Sequence, residues 1–196
     1  MSSSTAITSP VAQTTRNRLQ GILTTTEAQI IFVDTPGIHK PHHELGKILV
    51  KNARIAIAAV DLVLFIVDGT VSAGRGDQFI VNLLTQSPTP VILGLNKMDQ
   101  PSSQEAVESY QQIAVQHGWP LFQFSALTQV GLEPLLSCMI GQLEPGPFYY
   151  PPDLVTDQPE RFIMAELIRE QVLHHTREEV PHSVAVVIDR VEEEPA

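Results

Sequence analysis

The sequence predicts an α/β fold built on a parallel sheet. Two observations lead to it. First, three short apolar runs occur without alternation: Ile30–Val33, Leu62–Val67 and Val91–Leu95. Each ends in a polar residue, Asp34, Asp68 or Asn96. Runs of this kind read as fully buried strands of a parallel sheet. Second, helical spacing fills the intervals between strands, as in Phe79, Ile80, Leu83 and Leu84. Strands alternating with helices imply right-handed parallel connections, and such sheets place ligands beyond the carboxyl ends of their strands.

Taken in order, the first thirteen residues are polar and unpatterned. Leu19–Thr25 reads as a short strand, and Glu27-Ala28 as the turn into the strand ending at Asp34, so the pair predicts an antiparallel hairpin. His39–Gly46 has no periodicity and reads as a loop. Its three histidines lack the partners of a zinc site. Leu45, Ile48, Leu49, Ala53, Ala56 and Ile57 recur at helical spacing. After the Leu62–Asp68 strand, a helix starts near Arg75-Gly76-Asp77. The strand from Pro90 runs into Asn96-Lys97-Met98-Asp99, and Ser102 or Ser103 caps a helix reaching about His117. Leu121–Phe124 predicts a short strand ending at Ser125-Ala126, and Gly131–Leu143 a helix. Residues 144–159 are proline-rich and read as a linker. A helix from Glu160 to about Glu179 and a strand over Ser183–Asp189 follow, before an acidic end.

At 196 residues the chain has room for one domain and part of another, and 43% hydrophobic with 17% charged residues is an ordinary globular composition. The single Cys138 excludes an internal disulfide framework; on an apolar helical face it reads as packing. No signal peptide is read at the N-terminus. The tract Ile55–Val67 is broken by Asp61 and too short to span a bilayer. A formal net charge of −10 argues against electrostatic binding of nucleic acid by these residues alone.

Three strand ends carry chemistry. In Asp34-Thr35-Pro36-Gly37 an acid meets a forced turn and a glycine amide. In phosphate-binding folds such an acid holds Mg²⁺, and such an amide meets the terminal phosphate. Alone the pattern is weak, because a strand followed by a tight turn also explains it. Asn96-Lys97-Met98-Asp99 is sharper. Guanine presents two donors on one edge, N1–H and the 2-amino group, and one carboxylate accepts both, so Asp99 is the guanine reader. The Lys97 alkyl stem can cover the base, Asn96 can tie this loop to a neighbour, and Ser125-Ala126-Leu127 can offer a backbone N–H to guanine O6. Together and in this order, each ending a strand, the three motifs form a strong signal.

With these motifs the sequence resembles the translation-factor class of small GTPases and, within it, the bacterial Era family. Gln13-Thr14-Thr15-Arg16-Asn17, Asp34–His39, Asn96–Asp99 and Ser125–Leu127 carry the likeness. So do Arg161–Glu170 and Val180–Val184, which resemble the opening of a type II KH domain. The resemblance implies a P-loop-NTPase-like parallel sheet over residues 1–143, a linker over 144–159 and the start of a KH segment over 160–196. It implies GTP or GDP and Mg²⁺ as ligands. Thr15 and Asp34 would hold the metal, and Thr15 and Gly37 would meet the γ-phosphate. Thr35, Pro36, Ile38, Asn96, Lys97, Met98, Asp99, Ser125, Ala126 and Leu127 would complete the nucleotide site. An apolar Ile38, where other GTPases carry a water-orienting Gln, implies slow intrinsic hydrolysis. The family role is GTP hydrolysis coupled to 16S rRNA and 30S subunit assembly, by a monomer in the cytoplasm with peripheral inner-membrane association.

Two departures set further expectations. No Gly-x-x-x-x-Gly-Lys-Ser/Thr occurs: Gly46-Lys47 is followed by Ile48 and has Pro41 at the first glycine position, and Gly74-Arg75-Gly76 has Phe79 where a dinucleotide fingerprint needs Gly. The chain is therefore expected to lack the family's first strand, P-loop and first helix. Nucleotide affinity should then fall by orders of magnitude, and two apolar strand edges should be left near the sheet centre. No glycine follows Gly146, and from Glu160 four arginines face nine acids, so RNA binding through a Gly-x-x-Gly loop is not expected here. The alternative reading is a GTPase-derived interaction module that does not hold nucleotide tightly.

Overall fold

A computed structural model describes residues 19–34, 53–175 and 184–191. Thr15, Thr35, Pro36, Gly37, Ile38, the loop His39–Gly46, the start of the helix over 45–57 and the side chain of Asp34 lie outside the described residues. Two compact units emerge, Ile38–Gly146 and, together, Met1–Gly37 with Pro147–Ala196.

The Ile38–Gly146 unit is the α/β sheet. β3 (Val63–Asp68), β4 (Val91–Asn96) and β5 (Leu121–Gln123) pair in parallel in that order. The register sets Asp68 opposite Asn96 and Leu95 opposite Gln123. β4 is central, and its apolar residues Val91–Leu95 are all buried, as its unalternated run predicts. Residues 53–58 are helical and are called α1. α2 (Arg75–Leu84), α3 (Gln104–His117) and α4 (Leu132–Ile140) complete the unit. Val67, Leu93 and Leu95 pack with Val81 of α2 and Tyr110, Ile113 and Ala114 of α3. Val91 packs with Ala53 and Ile57 of α1 and Ile80, Leu83 and Leu84 of α2. Trp119 packs against both groups, so it serves the core, and its ring lies 5.0 Å from that of His117. Cys138 is a half-buried free thiol.

The ends of these helices follow from local chemistry. The Ser103 hydroxyl accepts from the Ala106 N–H at 3.1 Å, which settles the cap between the two serines. Gly118 ends α3 in the left-handed conformation, at φ +68°. The Asp77 carboxylate accepts from the Gly74 N–H at 2.8 Å at the start of α2. Gly131, at φ +80°, opens α4, and a Cβ there would run into the Gln123 carbonyl oxygen.

The other unit holds the hairpin. β1 (Leu19–Thr24) and β2 (Gln29–Asp34) pair antiparallel, with Ile22 opposite Ile31. The Thr25 hydroxyl closes the turn by accepting from the Glu27 and Ala28 N–H groups. The full burial and parallel pairing expected for Ile30–Val33 are corrected here. Among the described residues β2 pairs only with β1; Ile30 is buried, but Phe32 is 38% exposed. An apolar run reports the capacity for burial, not which neighbours supply it. The proline-rich stretch is tied to this hairpin. The Ile22 N–H donates to the Val155 carbonyl at 2.8 Å, and the Thr156 hydroxyl to the Gln20 carbonyl at 2.7 Å. The Gln29 Oε1 accepts from both the Tyr149 and Tyr150 N–H groups, at 2.8 and 2.9 Å. α5 (Glu160–His175) buries Ala165, Arg169 and Leu173, one residue per turn. Residues 184–191 form no strand, contrary to the reading of Ser183–Asp189: their side chains suit a strand, but no β-ladder forms there among the described residues.

Candidate functional site

Three strand ends meet at the carboxyl edge of the parallel sheet, where such folds place ligands. β4 delivers Asn96-Lys97-Met98-Asp99, β5 leads through Phe124 into Ser125-Ala126-Leu127, and β3 delivers Asp68-Gly69-Thr70. The side chain of Asn96 joins the first two. Its Oδ1 accepts from the Lys97 N–H at 2.7 Å and from the Ala126 N–H at 2.9 Å. Backbone bonds reinforce the join: the Phe124 N–H reaches the Leu95 carbonyl, and the Met98 N–H the Phe124 carbonyl, at 2.9 and 3.2 Å. Asn96 thus ties the loop after β4 to the loop after β5.

Ser125 is buried and holds Asp99. Its hydroxyl donates to Asp99 Oδ1 at 2.6 Å while accepting from the Thr128 N–H at 3.0 Å. Among the described residues Ser125 is the one hydrogen-bond partner of Asp99, which is otherwise exposed. A carboxylate has about four acceptor positions, so one oxygen fixed from behind leaves capacity for two donors in front. That arrangement fits the N1–H and 2-amino edge of guanine. It does not fit adenine, whose corresponding edge carries an acceptor at N1.

The three amides of Ser125–Leu127 differ in their partners. The Ser125 N–H is taken by the Val130 carbonyl at 2.9 Å, and the Ala126 N–H by Asn96. Among the described residues the Leu127 N–H has no partner, so Leu127 is the amide of this triplet left for an incoming acceptor. The Lys97 backbone lies in the left-handed region at φ +67°, an uncommon place for a non-glycine residue.

Sequence reasoning passed over Asp68 as a strand terminus. Its Oδ2 pairs with Lys97 Nζ at 2.7 Å, and its Oδ1 accepts from the Thr70 N–H and hydroxyl at 3.0 and 2.6 Å. The Lys97 ammonium and then the Thr70 hydroxyl hold its carboxyl down, to about 2. The signal available was the position itself, an acid ending the strand beside β4. Of the phosphate and metal residues, Asp34 ends β2, and the described residues give its backbone only. Among the described residues no three His, Cys, Asp or Glu side chains cluster as a metal site, and no helix is long and apolar enough to cross a membrane.

The family described as 50S ribosome-binding GTPase matches residues 1–97. GTPase Era of Rippkaea orientalis (strain PCC 8801 / RF-1) is 67% identical over 192 residues, covering 97% of this chain and 61% of that protein. GTPase Era of Nostoc sp. (strain PCC 7120 / SAG 25.82 / UTEX 2576) is 68% identical over 192 residues, covering 97% and 59%. The crystal structure of Era in complex with MgGDPNP and nucleotides 1506-1542 of 16S ribosomal RNA superposes with a TM-score of 0.86 at 34% identity, covering 97% of this chain and 65% of that one. This chain thus spans about three-fifths of the length of the curated relatives it matches. The loops that follow β4 and β5 lie within the matched span, and this likeness establishes that the chain belongs to the Era family of GTPases.

Proposed function

We propose that the chain is the guanine-reading part of an Era-like GTP-binding protein, acting in GTP hydrolysis coupled to 16S rRNA and 30S subunit assembly. The observation that carries this reading is the Asn96 bridge, which locks the Asp99 loop to the Ser125–Leu127 loop. Asp99 accepts from the guanine edge, the Leu127 N–H meets O6, and the Lys97 stem lies along the ring. Thr15 and Asp34 are the residues to hold Mg²⁺, which when bound neutralises phosphate charge. The Gly37 N–H serves the γ-phosphate, flanked by Thr35, Pro36 and Ile38. An apolar Ile38 leaves the attacking water to be oriented by another group, which goes with slow intrinsic turnover. The proposed setting is a monomer in the cytoplasm with peripheral inner-membrane association. The proposed domain plan is a G domain over 1–143, a linker over 144–159 and a KH-type segment over 160–196.

A second reading, an interaction module that does not hold nucleotide tightly, is favoured by one observation. The 196 residues contain no Gly-x-x-x-x-Gly-Lys-Ser/Thr to cradle β- and γ-phosphates. Calorimetry of the purified chain with GDP and with ADP, each with Mg²⁺, separates the two. Heat with GDP, absent with ADP and lost in Asp99→Asn, supports the first. No heat with GDP at millimolar concentrations supports the second.

A further inference from the structure

We infer that Asp68 is a positioning residue for base recognition: it holds the Lys97 side chain extended as the apolar platform for a purine ring. The inference rests on the guanine reading above and adds a residue from a third strand end.

The geometry fixes Lys97 at both ends. Its N–H is bound by Asn96 Oδ1 at 2.7 Å, and its Nζ by Asp68 Oδ2 at 2.7 Å. The four methylenes run between these anchors. Asp68 is itself immobilised, because both donors of Thr70 hold its second oxygen and its backbone ends β3 opposite Asn96. An ordinary surface ion pair ties two mobile side chains and contributes little. Here one partner is already fixed, and the other carries a left-handed backbone at φ +67° that aims its side chain. The β3 and β4 ends are also in contact. A Cβ on Gly69 would lie 2.6 Å from Met98 Sδ and 3.0 Å from the Asn96 carbonyl oxygen. The Gly69 N–H donates to that same carbonyl at 2.9 Å.

The platform remains open to a ligand. The Lys97 side chain is 51% exposed, although its terminus is paired. A lysine stem loses much rotamer freedom when a ring lies on it. Asp68 removes that freedom beforehand, so the cost does not fall on the binding step. Thr70 is part of the device, because without it the carboxylate could rotate and release Lys97.

The test is a double-mutant cycle on the full chain, read as the Kd for GDP with Mg²⁺ by calorimetry. Asp68→Asn is expected to weaken GDP about tenfold. Lys97→Ala should weaken it at least as much, and Asp68→Asn added to Lys97→Ala should cause no further loss. A purely structural role for Asp68 would lower affinity equally in both backgrounds, and that result overturns the inference. So does an unchanged Kd in Asp68→Asn while Asp99→Asn abolishes binding, an outcome that leaves the guanine reading intact. If the unaltered chain fails to bind GDP, or if Asp99→Asn binds it equally well, the guanine reading fails and the role of Asp68 falls with it. Fluorescence of Trp119 confirms that each variant is folded.

Discussion

Ser125→Ala removes the residue on which the Asp99 loop rests. Ser125 is 2% exposed, and its hydroxyl makes two bonds, one to the Asp99 carboxylate at 2.6 Å and one from the Thr128 N–H at 3.0 Å. A hydrogen bond to a charged group contributes roughly 1.5–3 kcal/mol and a neutral one about 1 kcal/mol. Asp99 is exposed and regains water when freed, which removes much of the first contribution. The net loss expected is about 2 kcal/mol. Urea unfolding followed through Trp119 reads this directly, because the chain has a single Trp and it packs against both core groups of the sheet unit. With a slope of about 2 kcal/mol per molar urea, the midpoint should fall by about 1 M at unchanged slope. A shift below about 0.2 M would mean that the hydroxyl holds neither loop.

Three further outcomes follow from the structure. Gly131→Ala should destabilise by more than about 2 kcal/mol in thermal melting, because a left-handed backbone and a collision with the Gln123 carbonyl act together. The Asp68 carboxyl, depressed from 3.8 to about 2, contributes stability that is present above the ordinary carboxylate range and lost as pH falls toward 2. Being partly exposed, it should account for no more than about 1 kcal/mol, should weaken in high salt, and should vanish from the acid limb in Asp68→Asn. Gln29→Ala frees the Tyr149 and Tyr150 amides, so their hydrogen exchange should quicken about tenfold or more, while the Ser103-capped start of α3 stays protected.

Most strands and helices of this chain are legible in its residues because each is specified locally. The apolar runs set β3 and β4, Ser103 and Gly118 bracket α3, and the Thr25 turn follows from its own hydroxyl. The role of Asn96 could be read because a short amide after a buried strand has few other partners. What stayed hidden depends on groups distant in sequence. Gln29 meets Tyr149 and Tyr150 about 120 residues away, so a stretch that reads as a linker is bound along a hairpin. The exposure of Phe32 depends on which strands flank β2, and no run of side chains encodes that. Lys97 could be assigned to the base, but its left-handed backbone and its pairing with Asp68 arise only when β3 and β4 lie in register. The triplet Ser125–Leu127 does not reveal by itself which of its amides is used internally; Asn96 takes the Ala126 N–H only once the β4 and β5 ends lie side by side. Residues 184–191 carry strand-forming side chains, yet a strand also needs a partner edge.

In the proposed function, Asp99 reads a purine by accepting two donors from its guanine edge. The most direct measurement is competition between GDP and xanthosine diphosphate for the unaltered chain and for Asp99→Asn, with Mg²⁺ at constant ionic strength. Xanthine replaces the 2-amino donor with a carbonyl acceptor, which an Asn amide can satisfy and a carboxylate cannot. The unaltered chain should prefer GDP, and Asp99→Asn should reverse the preference. Equal preference in both proteins would contradict it, since the carboxylate held by Ser125 would then not be what meets the base.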